Sequence, residues 1–161
     1  MSKDTQENVA LSTNKASGVL VGRIDHSLDP KKRLTIPSEW RNLLGGCGYA
    51  YIMPDPREKC LNLVPSDEME ARLIKLREKA LFDRSIAKAL QVIGANSEQV
   101  AFDVQGRIRI SDKFLQFAEL SSQVAMIGSI RMIKLWNPGK LDAPDGVDQT
   151  GLESALDQVG F

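Results

Sequence analysis

Asp29 and Arg33 stand four residues apart, and so do Asp103 and Arg107, 74 positions further along the chain. A guanidinium carries five donors in a rigid planar fork, which suits the edge of a guanine or the oxygens of a phosphate. A carboxylate four residues earlier can bond forward to its own backbone across a tight connection. Each pair therefore has the parts of a turn that presents a cation. The plainer alternative is that acid and base pair with each other and only lock the turn.

The letters around the two pairs repeat as well. Asp29-Pro30-Lys31-Lys32-Arg33-Leu34-Thr35-Ile36-Pro37 matches Asp103-Val104-Gln105-Gly106-Arg107-Ile108-Arg109-Ile110-Ser111 in its acid, its arginine and its alternation of apolar and polar residues. Period-2 alternation puts Leu28, Leu34 and Ile36 on one strand face and Arg33 and Thr35 on the other. In the second copy Phe102, Ile108 and Ile110 point in, and Arg107 and Arg109 point out. Both copies read as a hairpin tip with a cation at the root of the returning strand. Gly106 supplies the positive φ that such turns often need. Lys32 occupies the same place in the first copy, where it either adopts a left-handed backbone at some cost or marks a different turn. Lys31, Lys32 and Arg33 then form a run of three cations on an exposed loop, with Arg23 and Arg41 nearby in sequence.

The elements that must carry these turns are legible on both sides of each. Residues 1–17 are polar and aperiodic and read as a disordered tail. Residues 18–66 form the first repeat: a strand over Gly18–His26, the tip, a return strand to Pro37, a helix over Glu39–Leu44 capped by Ser38, and strands over Gly48–Met53 and Cys60–Val64. Residues 67–94 change to helical spacing. One helix opens with Asp67 and Glu70 as a capping-box-like start, and another runs from Asp83 to Ile93. Residues 95–138 repeat the first order, with Ser111 as the cap of a helix to Leu120 and strands over Val124–Ile127 and Met132–Trp136. The last strands match at an offset of 72, because the second connection is two residues shorter. Residues 139–161 read as an acidic, flexible tail in which Leu152, Leu156 and Val159 make at best a weak helix.

The totals narrow the function. The chain is 42% hydrophobic, enough for a core, and no apolar run approaches the roughly 20 residues of a membrane span. The polar opening lacks a secretory pattern, so the protein is expected to be cytoplasmic. Cys47 and Cys60 are thirteen apart and fit no metal or redox spacing, and His26 is the sole histidine. No nucleophile elbow, phosphate-cradling glycine loop or metal triad is spelled anywhere, so neither enzyme activity, cofactor nor small-molecule substrate is expected. The net charge of zero averages unlike parts. From Gly139 onward one lysine faces five acids, a net of −4, which leaves +4 on the other 138 residues. A basic body with an acidic tail is the charge asymmetry of a nucleic-acid surface.

Gly22-Arg23, the run from His26 to Pro37, Arg41 and Leu44, the second Asp-x-x-Gly-Arg and the closing Leu135-Trp136-Asn137-Pro138 together resemble the MraZ family over Gly18–Pro138. The resemblance implies an α+β fold of two pseudo-symmetric swapped-hairpin halves of the SpoVT/AbrB type, joined by a helical insert and interleaved into one small β-barrel. It implies a ring-shaped homo-oligomer and a nucleoid-associated regulator. Such a protein would bind double-stranded DNA at direct repeats upstream of a cell division and cell wall operon. Asp29, Arg33, Asp103 and Arg107 would then belong to the DNA-binding loops.

By residue chemistry, Arg33 and Arg107 are assigned to base or phosphate contact, Lys31 and Lys32 to phosphate, and Arg109 and Arg23 to support. Asp29 and Asp103 hold the loops and aim the arginines, since a carboxylate facing phosphate would repel it. The competing reading is a barrel-shaped protein-interaction module that uses its helical insert or acidic tail and binds no DNA.

Overall fold

The computed structural model describes residues 18–141 and 146–161, so the expected disorder of residues 1–17 lies outside the described residues. The first half comprises β1 (Arg23–Ser27), β2 (Arg33–Thr35), α1 (Ser38–Leu44), β3 (Tyr49–Pro54) and β4 (Leu61–Pro65). Then come α2 (Ser66–Arg77), a 3-10 turn at Lys79–Leu81 and α3 (Arg84–Ala95). The second half comprises β5 (Glu98–Ala101), β6 (Arg107–Arg109), α4 (Asp112–Phe117), β7 (Gln123–Gly128) and β8 (Ile133–Trp136). A 3-10 turn at Pro138–Lys140 and the helix α5 (Gln149–Val159) complete it. Among the described residues no helix is long and apolar enough to cross a membrane.

Strand pairing departs from a simple pair of hairpins. β1 bonds to β7 and β5 to β3, so neither forms a ladder with the return strand of its own tip. The six-stranded sheet runs β1-β7-β8-β4-β3-β5, all antiparallel, and β2 and β6 form a separate two-stranded ribbon. The six-stranded sheet ends at β1 and β5, and these pairings do not close it into a barrel. What the pairing does contain is a pseudo-twofold. Ser27 faces Gln123 as Ala101 faces Tyr49, 74 residues on. The relation passes through Leu34 opposite Ile108 in the ribbon and through Asn62 opposite Lys134 between β4 and β8.

Burial follows the alternation. Leu34, Ile36, Ile108 and Ile110 are fully buried or nearly so, with Leu28 and Phe102 packed against them half-buried. Trp40 and Leu44 on α1, and Phe114 and Leu115 on α4, close the same core. Burying each large aliphatic side chain contributes about 1.5–3 kcal/mol. The helix starts differ from the sequence reading. Pro37 holds the φ of −54° that leads into α1, Ser38 is already helical, and no side chain caps that end. Ser111 does sit at the N-cap of α4, yet its buried hydroxyl makes no bond. Glu70 does not close a capping box; its carboxylate accepts bonds from Tyr49 and Tyr51, at 2.5 and 2.9 Å, and pins α2 to β3. Asp83 does cap α3, accepting from the amides of Ser85 and Ile86. The tail reading also changes, because residues 149–159 form a regular helix capped by Asp148.

Candidate nucleic-acid interface

The two Asp-x-x-x-Arg turns have the same internal bonding. Asp29 Oδ1 accepts from the amides of Lys31 and Arg33 at 2.9 and 2.8 Å, and Asp103 Oδ1 accepts from those of Gln105 and Arg107 at the same distances. The second carboxylate oxygen takes the arginine Nε, at 2.6 Å for Arg33 and 2.7 Å for Arg107. The backbone closes each tip, Asp29 N to Arg33 O and Asp103 N to Arg107 O, both at 3.0 Å. Acid and base therefore do pair. The pair uses Nε and leaves the terminal nitrogens of Arg33 for another acceptor, while Nη1 of Arg107 also approaches Asp29 Oδ2 at 3.9 Å.

Each tip is also held by the other half. Ile36 N donates to Gly106 O and Ile110 N to Lys32 O, both at 3.0 Å, which extends the β2–β6 ribbon onto both turns. With Arg33 opposite Arg109 and Thr35 opposite Arg107, the ribbon turns Leu34 and Ile108 inward and three guanidinium groups outward. A three-residue antiparallel ribbon is about 7 Å from first to last residue, so both tips belong to one face.

Charge on this face is biased. Lys31, Lys32, Arg33, Arg41, Arg107 and Arg109 face three carboxylates, Asp29, Asp103 and Asp112. Burial pushes the Asp29 pKa upward, but the bonds from Arg33 outweigh it and hold the carboxyl below the ordinary aspartate range. The Arg107 amide, and then its guanidinium, do the same for Asp103. Both stay ionised at neutral pH and fix their loops.

Of the residues assigned from sequence, Arg33, Arg107, Arg109, Lys31 and Lys32 come together here, as do Asp29, Asp103 and Gly106. Arg23 does not: it stands at the far end of β1 from the tip and pairs with Asp25 at 2.9 and 3.1 Å. Lys32 adopts the left-handed backbone at φ 62°, as Gly106 does at φ 76° in the second tip, and its ammonium pairs with Asp112. Arg41 lacked a role in the sequence reading. Its guanidinium packs on Gly106 so closely that a Cβ there would overlap it, and its buried Nε has no hydrogen-bond partner among the described residues. The clue was present in the letters, since Gly replaces Lys in the one copy where an arginine from α1 fills the space.

A profile of the MraZ protein family, described as antitoxin-like, matches residues 93–141. Several curated proteins named "Transcriptional regulator MraZ" align over most of the chain. One from Nitrosomonas eutropha is 33% identical over 122 residues, covering 75% of this chain and 82% of the relative. One from Alkaliphilus metalliredigens is 29% identical over 146 residues, covering 89% and 100%. One from Acetivibrio thermocellus is 28% identical over 140 residues, covering 87% and 96%. Aligned coverage of this extent, at these identities, means that the chain belongs to the MraZ family.

Proposed function

We propose that this protein is a DNA-binding transcriptional regulator and that the β2–β6 ribbon with its two tips is the surface that meets DNA. The observation that carries the reading is the cross-locking of two tips from opposite halves on one ribbon that turns Arg33, Arg107 and Arg109 outward. A rigid ribbon presents its donors without an ordering cost, and a two-stranded ribbon fits the roughly 12 Å major groove. Arg33 and Arg107 read base edges or clamp phosphates, Lys31 and Lys32 neutralise phosphate, and Arg109 supports them. Asp29 and Asp103 aim the arginines, and Gly106 makes room for Arg41. The names of the relatives support the regulatory role.

Few cations per copy make single-site binding weak. Assembly of several copies into a ring supplies avidity on direct repeats upstream of a cell division and cell wall operon. The test is a gel shift with DNA from upstream of the protein's own gene, titrated with salt. Binding that falls steeply as salt rises is expected, because each phosphate contact releases counterions. Absence of binding, or binding indifferent to salt, overturns the reading.

A further inference from the structure

The last helix and the helical insert carry complementary surfaces. Every residue of α5 is exposed, although Leu152, Leu156 and Val159 fall at helical spacing on one face, with Phe161 just beyond. Residues 146–161 hold Asp148, Glu153 and Asp157 and no lysine or arginine. The insert has the opposite character. In α3, Ile86, Leu90 and Ile93 form an apolar stripe, yet no residue of that helix is fully buried. Ile74, Leu81 and Phe82 are 54%, 78% and 92% exposed. Between α2 and α3 lies an open groove of about 400 Å³ lined by Tyr51, Met69, Leu73, Ile74, Leu90 and Ile93. Residues 72–88 around it carry six cations against Glu78 and Asp83, a net of +4.

We propose that α5 of one chain lies in the α2–α3 groove of a second copy, apolar face down, with Glu153 and Asp157 against the basic rim. The matched charges favour this pairing, and the lengths agree. Eleven helical residues span about 16 Å and the twelve of α3 about 18 Å. In its own chain α5 is exposed at every residue and the α2–α3 groove stands open, so both apolar surfaces are left for a second copy. The exit after β8 is held beside α4, where Asn137 and Lys140 both bond to Glu119, so α5 leaves the sheet from a fixed point. The groove is anchored over β3 by the two tyrosine bonds to Glu70. Only seven residues join Leu141 to α5, a reach of at most about 25 Å. This inference concerns assembly alone and stands whether or not the ribbon binds DNA.

The experiment uses the full chain with Cys47→Ala, which removes the exposed native thiol. One batch carries Leu156→Cys and another Ile74→Cys, both at solvent-accessible positions. Mild oxidation of the mixture should give a covalent heterodimer faster than either batch alone gives a homodimer. A chain carrying both cysteines should cross-link mainly between copies. Cross-linking confined to one chain overturns the proposal in favour of docking in the same copy. Failure to cross-link in either arrangement overturns it outright. As a second measurement, Glu153→Lys with Asp157→Lys should weaken self-association at least tenfold by sedimentation. Adding Arg84→Glu and Lys88→Glu should restore it. No weakening also counts against the proposal.

Discussion

The first and second tips share a backbone and differ in where a cation comes from. In the first, the fourth residue is Lys32, left-handed at φ 62°, and its own ammonium reaches Asp112 on α4. In the second, the fourth residue is Gly106 at φ 76°, and the cation behind it is Arg41, contributed by α1 of the other half. The difference teaches that the turn requires a left-handed residue there, and that glycine is required only where a neighbour fills the space of a Cβ. The two tips keep one geometry and differ in the suppliers of charge.

The halves also differ at the middle of the sheet, and the largest predicted effect tests that difference. The first half has the longer connection after its third strand, and that connection buries Asp55. Its carboxylate accepts from the amides of Arg57 and Glu58, from Asn62 at 3.0 Å and from Lys134 of the other half at 2.8 Å. Burial raises its pKa, but the Lys134 bond and its companions more than offset that, so the carboxyl sits far below the ordinary range. Asp55→Ala leaves Lys134 without this partner at the pseudo-twofold. Breaking a buried pair costs about 3–5 kcal/mol, and the partial exposure of Lys134 puts this case near about 3. A fall in Tm of about 6–12 °C should follow in calorimetry. An unchanged Tm would show that the second half does not depend on the first half's loop.

How far the letters reach is clearest in these same regions. The 74-residue repeat, the inward Leu34 and Ile108 and the outward Arg33, Arg107 and Arg109 are all legible, because alternation reports which face a side chain takes. Alternation does not report which strand lies next door. That is why each tip reads as a hairpin, whereas β1 pairs with β7 and β2 with β6. Ser38 is missed as a helical residue because the fixed φ of Pro37 lets the helix start one position earlier. Residues 18–22 look like strand by composition. Only a bridge from Leu20 to Ile130 forms there, and Gly22 turns the backbone to φ 98°.

The next effect separates the tips by function. Arg33→Ala and Arg107→Ala should each weaken binding to upstream DNA by about 5- to 150-fold, the 1–3 kcal/mol of a lost forked contact. Circular dichroism and assembly should be unchanged. Arg107→Ala should be the more damaging, since its guanidinium approaches both Asp29 and Asp103 and so steadies the first tip as well. Wild-type affinity in both variants would reduce the ion pairs to loop locks.

A smaller effect comes from exchanging the fourth residues. Gly106→Lys puts a Cβ into the Arg41 guanidinium and adds a left-handed penalty, so it should cost about 1–2 kcal/mol in urea unfolding. Lys32→Gly relieves that penalty but adds unfolded-state entropy and loses an exposed pair with Asp112, so its change should stay under about 1 kcal/mol. In binding the second variant should flatten the salt dependence by about one phosphate contact. Equal costs for the two swaps would mean that Arg41 does not distinguish the tips.

The smallest effect is a titration. Asp29 and Asp103 both have pKa values held below the ordinary aspartate value. Depressed carboxylates favour the folded tip above their unfolded pKa, near about 3.9, and lose that contribution as pH falls through the folded values. Acid should therefore loosen both tips below about pH 4 and leave them unchanged from pH 5 to 8. Carboxyl-carbon NMR should find both residues still ionised where an exposed aspartate is half protonated. Because both turns share the same internal clamp, both curves should lie below that of a free aspartate. A tip that titrates like a free aspartate lacks the internal clamp, and the pseudo-symmetry would then stop short of the turns.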